Sequence, residues 1–171
     1  MKFDFTNVSE AGFVVIPPAR YKVVTSKWFY NVKEATGNVV FSIDAKILEG
    51  DYKEETVRCF QTVTQNEKSK GFMLALLSNL GIVDQKDRGP NGELAVEFVF
   101  GDKLENGQTE VKGIKVNEQP RAVEGRKGIA VVTQYKPEGA EEKRSKVDRF
   151  EPYKENADTA PAQNTNDETP W

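Results

Sequence analysis

Hydrophobic and polar residues alternate regularly in the first third of the chain. From Asn38 to Leu48 the odd-numbered residues are all apolar and the even-numbered residues are mostly polar. A period of two residues is typical of a strand with one buried face. Residues 20–33 and 55–63 alternate in a similar way, and turn-forming residues at 34–38 and 49–53 separate the three segments. The pattern predicts an antiparallel meander of three strands.

A helix and further strands are predicted after the meander. Residues 66–81 place leucines at helical spacing, with Asn66 or Ser69 available to cap the start and Gly81 suited to a left-handed end. Further strands are predicted at 93–100, 128–135 and 145–150, with 111–116 as the return arm of a hairpin. Three strands, one helix and then further strands is the order of the oligonucleotide/oligosaccharide-binding (OB) fold, a small Greek-key barrel. A β-sandwich with a single helix would give a similar pattern.

The composition changes at Lys154. Residues 154–171 contain no apolar side chain larger than alanine before the final tryptophan, so they cannot bury enough surface to offset the entropy of ordering. They hold one of the 24 basic and four of the 27 acidic residues, which leaves 23 of each elsewhere. We therefore predict a mainly-β, OB-fold-like domain at 1–153, with one helix between its third and fourth strands, and a disordered acidic tail at 154–171.

The composition argues against several classes of protein. The chain has no histidine and one cysteine, so it lacks the commonest general base and cannot build a thiolate cage for a metal. We expect no cofactor and no enzymatic activity. A metal-dependent nuclease would need a cluster of carboxylates such as Asp44, Glu49 and Asp51, which the predicted strand and turn separate.

The hydrophobic segments also bear on location. No apolar run approaches the length needed to cross a bilayer, and the first residues lack the features of a secretory signal. The sequence therefore predicts a cytoplasmic protein with no membrane association.

The first predicted strand combines basic and aromatic side chains. Residues 20–33 contain four cations, four aromatics and no acid. Such a surface can contact phosphates and stack on bases. If the strand has no bulge, Lys22, Trp28 and Tyr30 share the face opposite to Tyr21, Val23 and Phe29.

A second pair, Arg58 and Phe60, is predicted on the outer face of the third strand. The alternative is that Phe60 lies under a loop or in a subunit contact and that Arg58 is an ordinary solvated charge. The candidate nucleic-acid-binding residues all carry a basic or aromatic side chain on these strands or in later loops. They are Lys22, Lys27, Trp28, Tyr30, Lys33, Lys46, Arg58, Phe60, Lys136 and Arg144.

The last five residues, Asp-Glu-Thr-Pro-Trp, resemble the acidic tip of bacterial single-stranded DNA-binding proteins, which end in Asp-Asp-Ile-Pro-Phe after a polar linker. The resemblance implies that Asp167 and Glu168 take the acidic positions, while Pro170 and Trp171 dock into pockets of partner proteins. Thr169 replaces a hydrophobic residue, and tryptophan replaces phenylalanine. The alternative is an accidental end on a solubilising extension.

The body is similar to small phage and prophage proteins of replication and recombination modules. The likeness rests on residues 21–24, 37–53 and the helix that ends in Leu-Gly-Ile at 80–82, with a late segment at 125–132 and 146–150. Residues 93–120 match poorly, and a glycine expected after Tyr52-Lys53 is Glu54.

Together the two resemblances imply a sequence-nonspecific single-stranded DNA-binding protein of bacteriophage. It would coat and protect single strands during DNA replication or recombination and recruit replication or recombination proteins through its tail tip. RNA binding and self-association stay open. The competing hypothesis is a phage structural or assembly protein whose exposed aromatic residues form subunit contacts.

Overall fold

The computed structural model describes residues 1–4, 14–64 and 66–157, which contain eight strands and one α-helix. The elements are β1 (Ala19–Val32), β2 (Val39–Ile47), β3 (Thr56–Val63), α1 (Glu67–Asn79), β4 (Val96–Lys103), β5 (Thr109–Val116), β6 (Gln119–Arg121), β7 (Lys127–Tyr135) and β8 (Arg144–Glu151). A 3-10 turn at Gln85–Asp87 follows the helix. The predicted mainly-β fold with its helix between the third and fourth strands is confirmed.

Five of the strands close into a ring. β1 pairs with β2, β2 with β3, β8 with β7, and β7 with the first half of β1, all antiparallel. A parallel contact between β3 and β8, at Cys59 and Val147, completes the circuit. The order β1-β2-β3-β8-β7-β1, with the helix after the third strand, matches the strand order of an OB-like Greek-key barrel.

The helix α1 adds a second layer to the barrel core. Asn66 caps its start, because the Asn66 side chain accepts a hydrogen bond from the Lys68 N–H at 2.7 Å, and Gly81, with a φ of 73°, lies just past its end. Met73, Leu76 and Leu77 are buried where α1 packs against β3 and β8. In the described part of the chain, no helix is long and apolar enough to cross a membrane.

Three strands extend the sheet beyond the ring. β5 pairs with the second half of β1, and β4 and β6 both pair with β5. Arg121 of β6 joins this extension to the segment after α1, because its guanidinium donates to the Asp87 carboxylate at 2.7 and 2.8 Å and to the Ile82 carbonyl at 2.8 Å. The hydrogen bonds from Arg121 lower the pKa of Asp87 to about 2.

The turn between β2 and β3 contains a non-glycine residue in the left-handed region. Glu54 has a φ of 75°, and its N–H donates to the Ile47 carbonyl at 2.9 Å. A side chain is disfavoured at such a φ, and glycine is not. This is the position at which the resemblance to phage proteins leads us to expect glycine.

A bulge interrupts β1 near its middle. Thr25 pairs with Ala45 and Trp28 with Ile43, so two β1 residues lie opposite a single β2 residue. One extra residue reverses the direction of every later side chain relative to strict alternation. At the same place the other edge of β1 changes its partner from β7 to β5.

The buried Thr25 holds this junction to the turn that precedes β7. Its hydroxyl donates to the Val123 carbonyl at 2.6 Å and accepts from the Arg126 N–H at 2.9 Å. Its backbone N–H donates to the Arg126 carbonyl and its carbonyl accepts from the Gly125 N–H, both at 2.8 Å. Four hydrogen bonds therefore fasten β1 where its partner changes.

We expect Thr25→Val to destabilise the fold, because it keeps the branched shape but leaves the buried Val123 carbonyl and the partly buried Arg126 N–H without their hydroxyl partner. Each stranded group costs about 1–3 kcal/mol in the free energy of unfolding. Thr25→Ser is the control, since it keeps the hydroxyl and loses one methyl group, about 0.8 kcal/mol. Urea denaturation in which the serine variant is at least as unstable as the valine variant would contradict this role of the hydroxyl.

Candidate nucleic-acid interface

The outer face of β1, β2 and β3 carries two aromatic residues in one row. Phe29 pairs with Ser42, and Ser42 pairs with Phe60. Directly paired residues on antiparallel strands project from the same face, and two strand spacings separate the outer members by roughly 9–10 Å. Phe60 is 49 % exposed and Phe29 is half-buried, whereas the small Ser42 between them is buried. We call these three residues the aromatic row.

Trp28 does not belong to this face. The bulge turns Trp28 inward and brings Phe29 outward, which reverses the arrangement expected for an unbroken strand. Trp28 is 0 % exposed and cannot stack on a base. The predicted outward position of Trp28 is therefore wrong, and Phe29, which the sequence prediction left out, takes its place.

Tyr30 also turns inward, toward the extension. Its ring stacks on Phe100 of β4 with a centroid distance of 4.3 Å and lies 6.1 Å from the ring of Phe41. Both Tyr30 and Trp28 therefore lie on the face opposite to the aromatic row. The prediction that Tyr30 shares the outer face with Lys22 is wrong, for the same reason as for Trp28.

Lys22 lies on the outer side of β1 but is buried beneath the segment that follows β8. Its Nζ donates to the Glu155 carbonyl and lies 3.6 Å from the Glu49 carboxylate. Lys127 lies over the ring of Tyr153 in the same segment, 5.3 Å from its centroid. A lysine held in this way is closed to a phosphate in this structure, so the position of Lys22 gives its predicted nucleic-acid contact no support.

The same contacts extend the body past the predicted boundary at 153. Glu155 packs against the barrel, and the structure describes the chain as far as Ala157. The predicted disorder of the later tail lies outside the described residues, as do Asp167, Glu168, Pro170 and Trp171.

Arg58 lies beside the aromatic row, on the outer face as predicted, and forms a bidentate ion pair. It is paired directly with Asp44 of β2, and its Nε and Nη2 donate to the Asp44 carboxylate at 2.5 and 3.0 Å. These hydrogen bonds raise the pKa of Arg58. A phosphate at this place must compete with Asp44, so the pair lowers the positive charge that the face offers.

Lys27 and Lys46 are exposed at the same face and also have carboxylate neighbours. Lys27 Nζ lies 3.2 Å from Glu110, and Lys46 Nζ lies 3.9 Å from Glu54. Ion pairs between exposed side chains contribute little free energy, so these lysines can turn toward a phosphate at small cost.

Two loops at the ends of the ring strands carry the other predicted cations. Lys33 begins the loop between β1 and β2, and Lys136 follows β7, while Arg144 begins β8; all three are exposed. Within the described ranges, neither Lys33 nor Lys136 takes part in an ion pair. In OB folds the corresponding loops, between strands 1 and 2 and between strands 4 and 5 of the barrel, border the binding face.

The described surface offers no site at which acidic or thiol side chains could hold a metal. In the part of the chain that the structure describes, no group of three or more His, Cys, Asp or Glu residues is placed to hold a metal. Burial raises the pKa of Cys59 to about 12, so its thiol stays protonated near neutral pH.

Comparison with protein-family models finds no match to this chain, and comparison with curated proteins finds none either. The resemblances to single-stranded DNA-binding proteins and to phage proteins therefore stay predictions from the sequence.

We expect losses of stability of very different size from truncating Trp28 and Phe60, the two aromatic residues that the sequence assigned to the same surface. Trp28→Ala should lower the free energy of unfolding by about 3–5 kcal/mol, because it empties a filled core site. Phe60→Ala should lower it by about 1 kcal/mol or less, as is usual for surface positions. Circular dichroism during urea denaturation measures both values. Equal losses would contradict the inward and outward positions of the two rings.

Proposed function

We propose that this chain is a single-stranded DNA-binding protein that coats and protects single strands with little regard to sequence. The observation that carries the proposal is the aromatic row on the outer face of an OB-like barrel. OB folds bind oligonucleotides with this face, and aromatic side chains give successive bases a surface to stack on. Fold alone does not determine function, so the argument depends on the row and its surroundings.

The chemistry of the row favours single strands over duplex. A phenylalanine ring stacks on any base but has no group with which to read a base edge, so it carries little sequence information. Bases in a duplex are stacked on one another and paired, so their faces are not open to a ring. Lys27 and Lys33 at the end of β1, Lys46 on β2, and Lys136 and Arg144 at the second loop supply contacts to the phosphates.

The biological setting follows from the resemblances rather than from the geometry. We propose that the protein acts in the cytoplasm of a bacterial host during phage DNA replication or recombination. Asp167, Glu168, Pro170 and Trp171 would then recruit replication or recombination proteins.

A structural or assembly protein is the second candidate function, because some exposed apolar residues lie outside the row. Val99, Phe100 and Leu104 are exposed on or next to β4, which pairs with β5 on one side and with no strand of the described residues on the other. Unpaired edges with apolar side chains are sites of association between chains. This function predicts self-association that salt does not weaken and no affinity for oligonucleotides, which sedimentation velocity with and without an oligonucleotide would reveal.

The proposed function predicts that a labelled thymidine oligonucleotide binds more tightly than a duplex of the same length. Affinity for the single strand should fall by roughly 0.7 log units per log unit of salt for each phosphate contact. Fluorescence anisotropy across a salt series measures both properties. Equal affinity for duplex, or no binding at low salt, would overturn the proposal.

Phe29→Ala and Phe60→Ala identify the surface in the same assay. Each should cost about 1–3 kcal/mol of binding free energy for the base it stacks on, with the salt slope unchanged because no charge is removed. Val99→Ala is the matched control, since it removes an exposed apolar side chain from β4, which β5 separates from β1 and its Phe29. If this control weakens binding as much as the two phenylalanine variants, the row is not the binding surface.

The acidic tail is predicted to restrain DNA binding. Truncation after Ala157 removes three acidic residues and no basic ones, and keeps the contact between Glu155 and Lys22. A tethered acidic segment competes with phosphates at high effective concentration, so the truncated protein should bind the oligonucleotide modestly more tightly at low salt, with the difference fading as salt screens charge. Anisotropy measures this difference, and a truncated protein that binds no more tightly would contradict it.

Removal of Pro170 and Trp171 alone separates the two roles of the tail. The acidic residues stay, so the effect on DNA affinity should be small, while capture of replication or recombination proteins from host extract should be lost. If the shortened chain retrieves the same proteins as the full chain, the terminal aromatic residue is not a docking element.

A further inference from the structure

A groove of about 510 Å³ is lined by residues of α1, β3 and β8. Two exposed aromatic residues line it: Phe60 of β3, which is 49 % exposed, and Phe72 of α1, which is 55 % exposed. Phe60 is also an end member of the aromatic row. The groove is therefore continuous with the proposed binding face and lies on the far side of Phe60 from Phe29.

The groove exists because β3 and β8 meet over a very short length. β2 and β3 pair through eight residues each, whereas β3 and β8 share one paired position, at Cys59 and Val147. β3 and β8 share no further paired position, and α1 packs against both strands. The side-chain amide of Asn79 donates to the Phe150 carbonyl at 2.9 Å and fixes the end of α1 against β8.

The charged groups at the groove suit an anionic, aromatic ligand. Lys146 and Arg149 line it together with one acid, Asp148, which lies 3.0 Å from Arg149. On the helix, Lys68 Nζ lies 5.9 Å from the centroid of the ring of Phe72, and Phe72 lines the groove. Stacking rings next to cations are the elements of a site for a nucleotide, and the volume is in the range of small-molecule sites.

We propose that this groove is a second nucleotide subsite, in which the single strand that crosses the aromatic row continues past Phe60 and stacks a base on Phe72. The inference rests on the proposed function, because the strand is the same one. Lys68 and Lys146 contact its phosphates at the rim. An apolar peptide in the groove would desolvate these cations without neutralising them, which is costly, whereas a nucleic-acid strand brings the opposite charge.

Two lengths of labelled thymidine oligonucleotide test the subsite. OB folds occupy about 4–16 nucleotides, so an oligonucleotide of about 4 fills the row alone and one of about 16 reaches the groove. Phe72→Ala should lower the affinity for the long oligonucleotide about 5- to 150-fold, which is the contribution of one stacked base. The affinity for the short oligonucleotide should not change. The loss should be the same at low and high salt, because no charge is removed.

Three further variants make the assay specific. Phe72→Tyr keeps an aromatic ring and should bind both lengths as the unaltered chain does. Phe60→Ala should weaken both lengths, because Phe60 belongs to the row. Lys146→Gln should weaken the long oligonucleotide alone and reduce its salt slope, which tests the groove independently if Phe72→Ala fails to fold in a thermal melt.

The outcomes separate the subsite from the proposed function. If Phe72→Ala binds both lengths normally while Phe60→Ala does not, the subsite is wrong and the proposed function stands. If Phe72→Ala lowers the affinity for both oligonucleotides equally, the proposal that the strand continues from the aromatic row into the groove is also wrong. If the unaltered chain binds neither oligonucleotide at low salt, both proposals fail, and self-association that is lost in Phe72→Ala would assign the groove to a second copy instead.

Discussion

The bulge between Thr25 and Trp28 decides which side chains of the longest strand enter the core and which reach solvent. Before it, β1 is a member of the closed ring, with β2 and β7 as neighbours; after it, β1 leaves β7 and supports the extension through β5. The hydrogen bonds of Thr25 to the turn before β7 hold the strand at this point. The aromatic row exists because the alternation changes here and not elsewhere in the strand.

Trp28 shows what the bulge costs. Its ring is fully buried, and in the described part of the chain its indole N–H has no hydrogen-bond partner. A buried donor without a partner is unfavourable by about 1–3 kcal/mol, which the burial of a large ring offsets. The Trp28 ring thus fills the core beneath β1, between β2 and β5, although its indole N–H is left without a partner in the described part of the chain.

The elements with clean alternation were predictable, and the bulge was not. β2 shows one face of apolar residues from Val39 to Ile47, and the predicted and observed strands agree. On β3, Val57 and Cys59 face the core and Phe60 faces outward, as the same rule predicts. Local pattern is sufficient in these strands because each keeps a constant alternation along its whole length.

In β1 three aromatic residues follow one another at 28–30, directly after the bulge, so alternation alone does not decide which of them faces the core. The choice depends on contacts of Thr25 with residues about one hundred positions later in the chain. The burial of Lys22 has the same origin, since its partner Glu155 belongs to a segment whose composition predicted no contact at all. Periodicity along the chain does not reveal contacts between residues so far apart in sequence. These contacts decide that Trp28 faces the core and Phe29 faces outward.

The pairing between neighbouring strands of the ring is uneven, because β3 and β8 share one paired position and β2 and β3 share eight. If that one parallel contact opens, the strands still form an unbroken hydrogen-bonded sheet running from β3 through β2, β1 and β7 to β8. Opening there would sacrifice fewer backbone hydrogen bonds than separating any other pair in the ring, so local excursions should begin at this seam. The barrel is therefore a curled sheet that is closed by one paired position, and α1 stabilises the closed form because it packs against both β3 and β8.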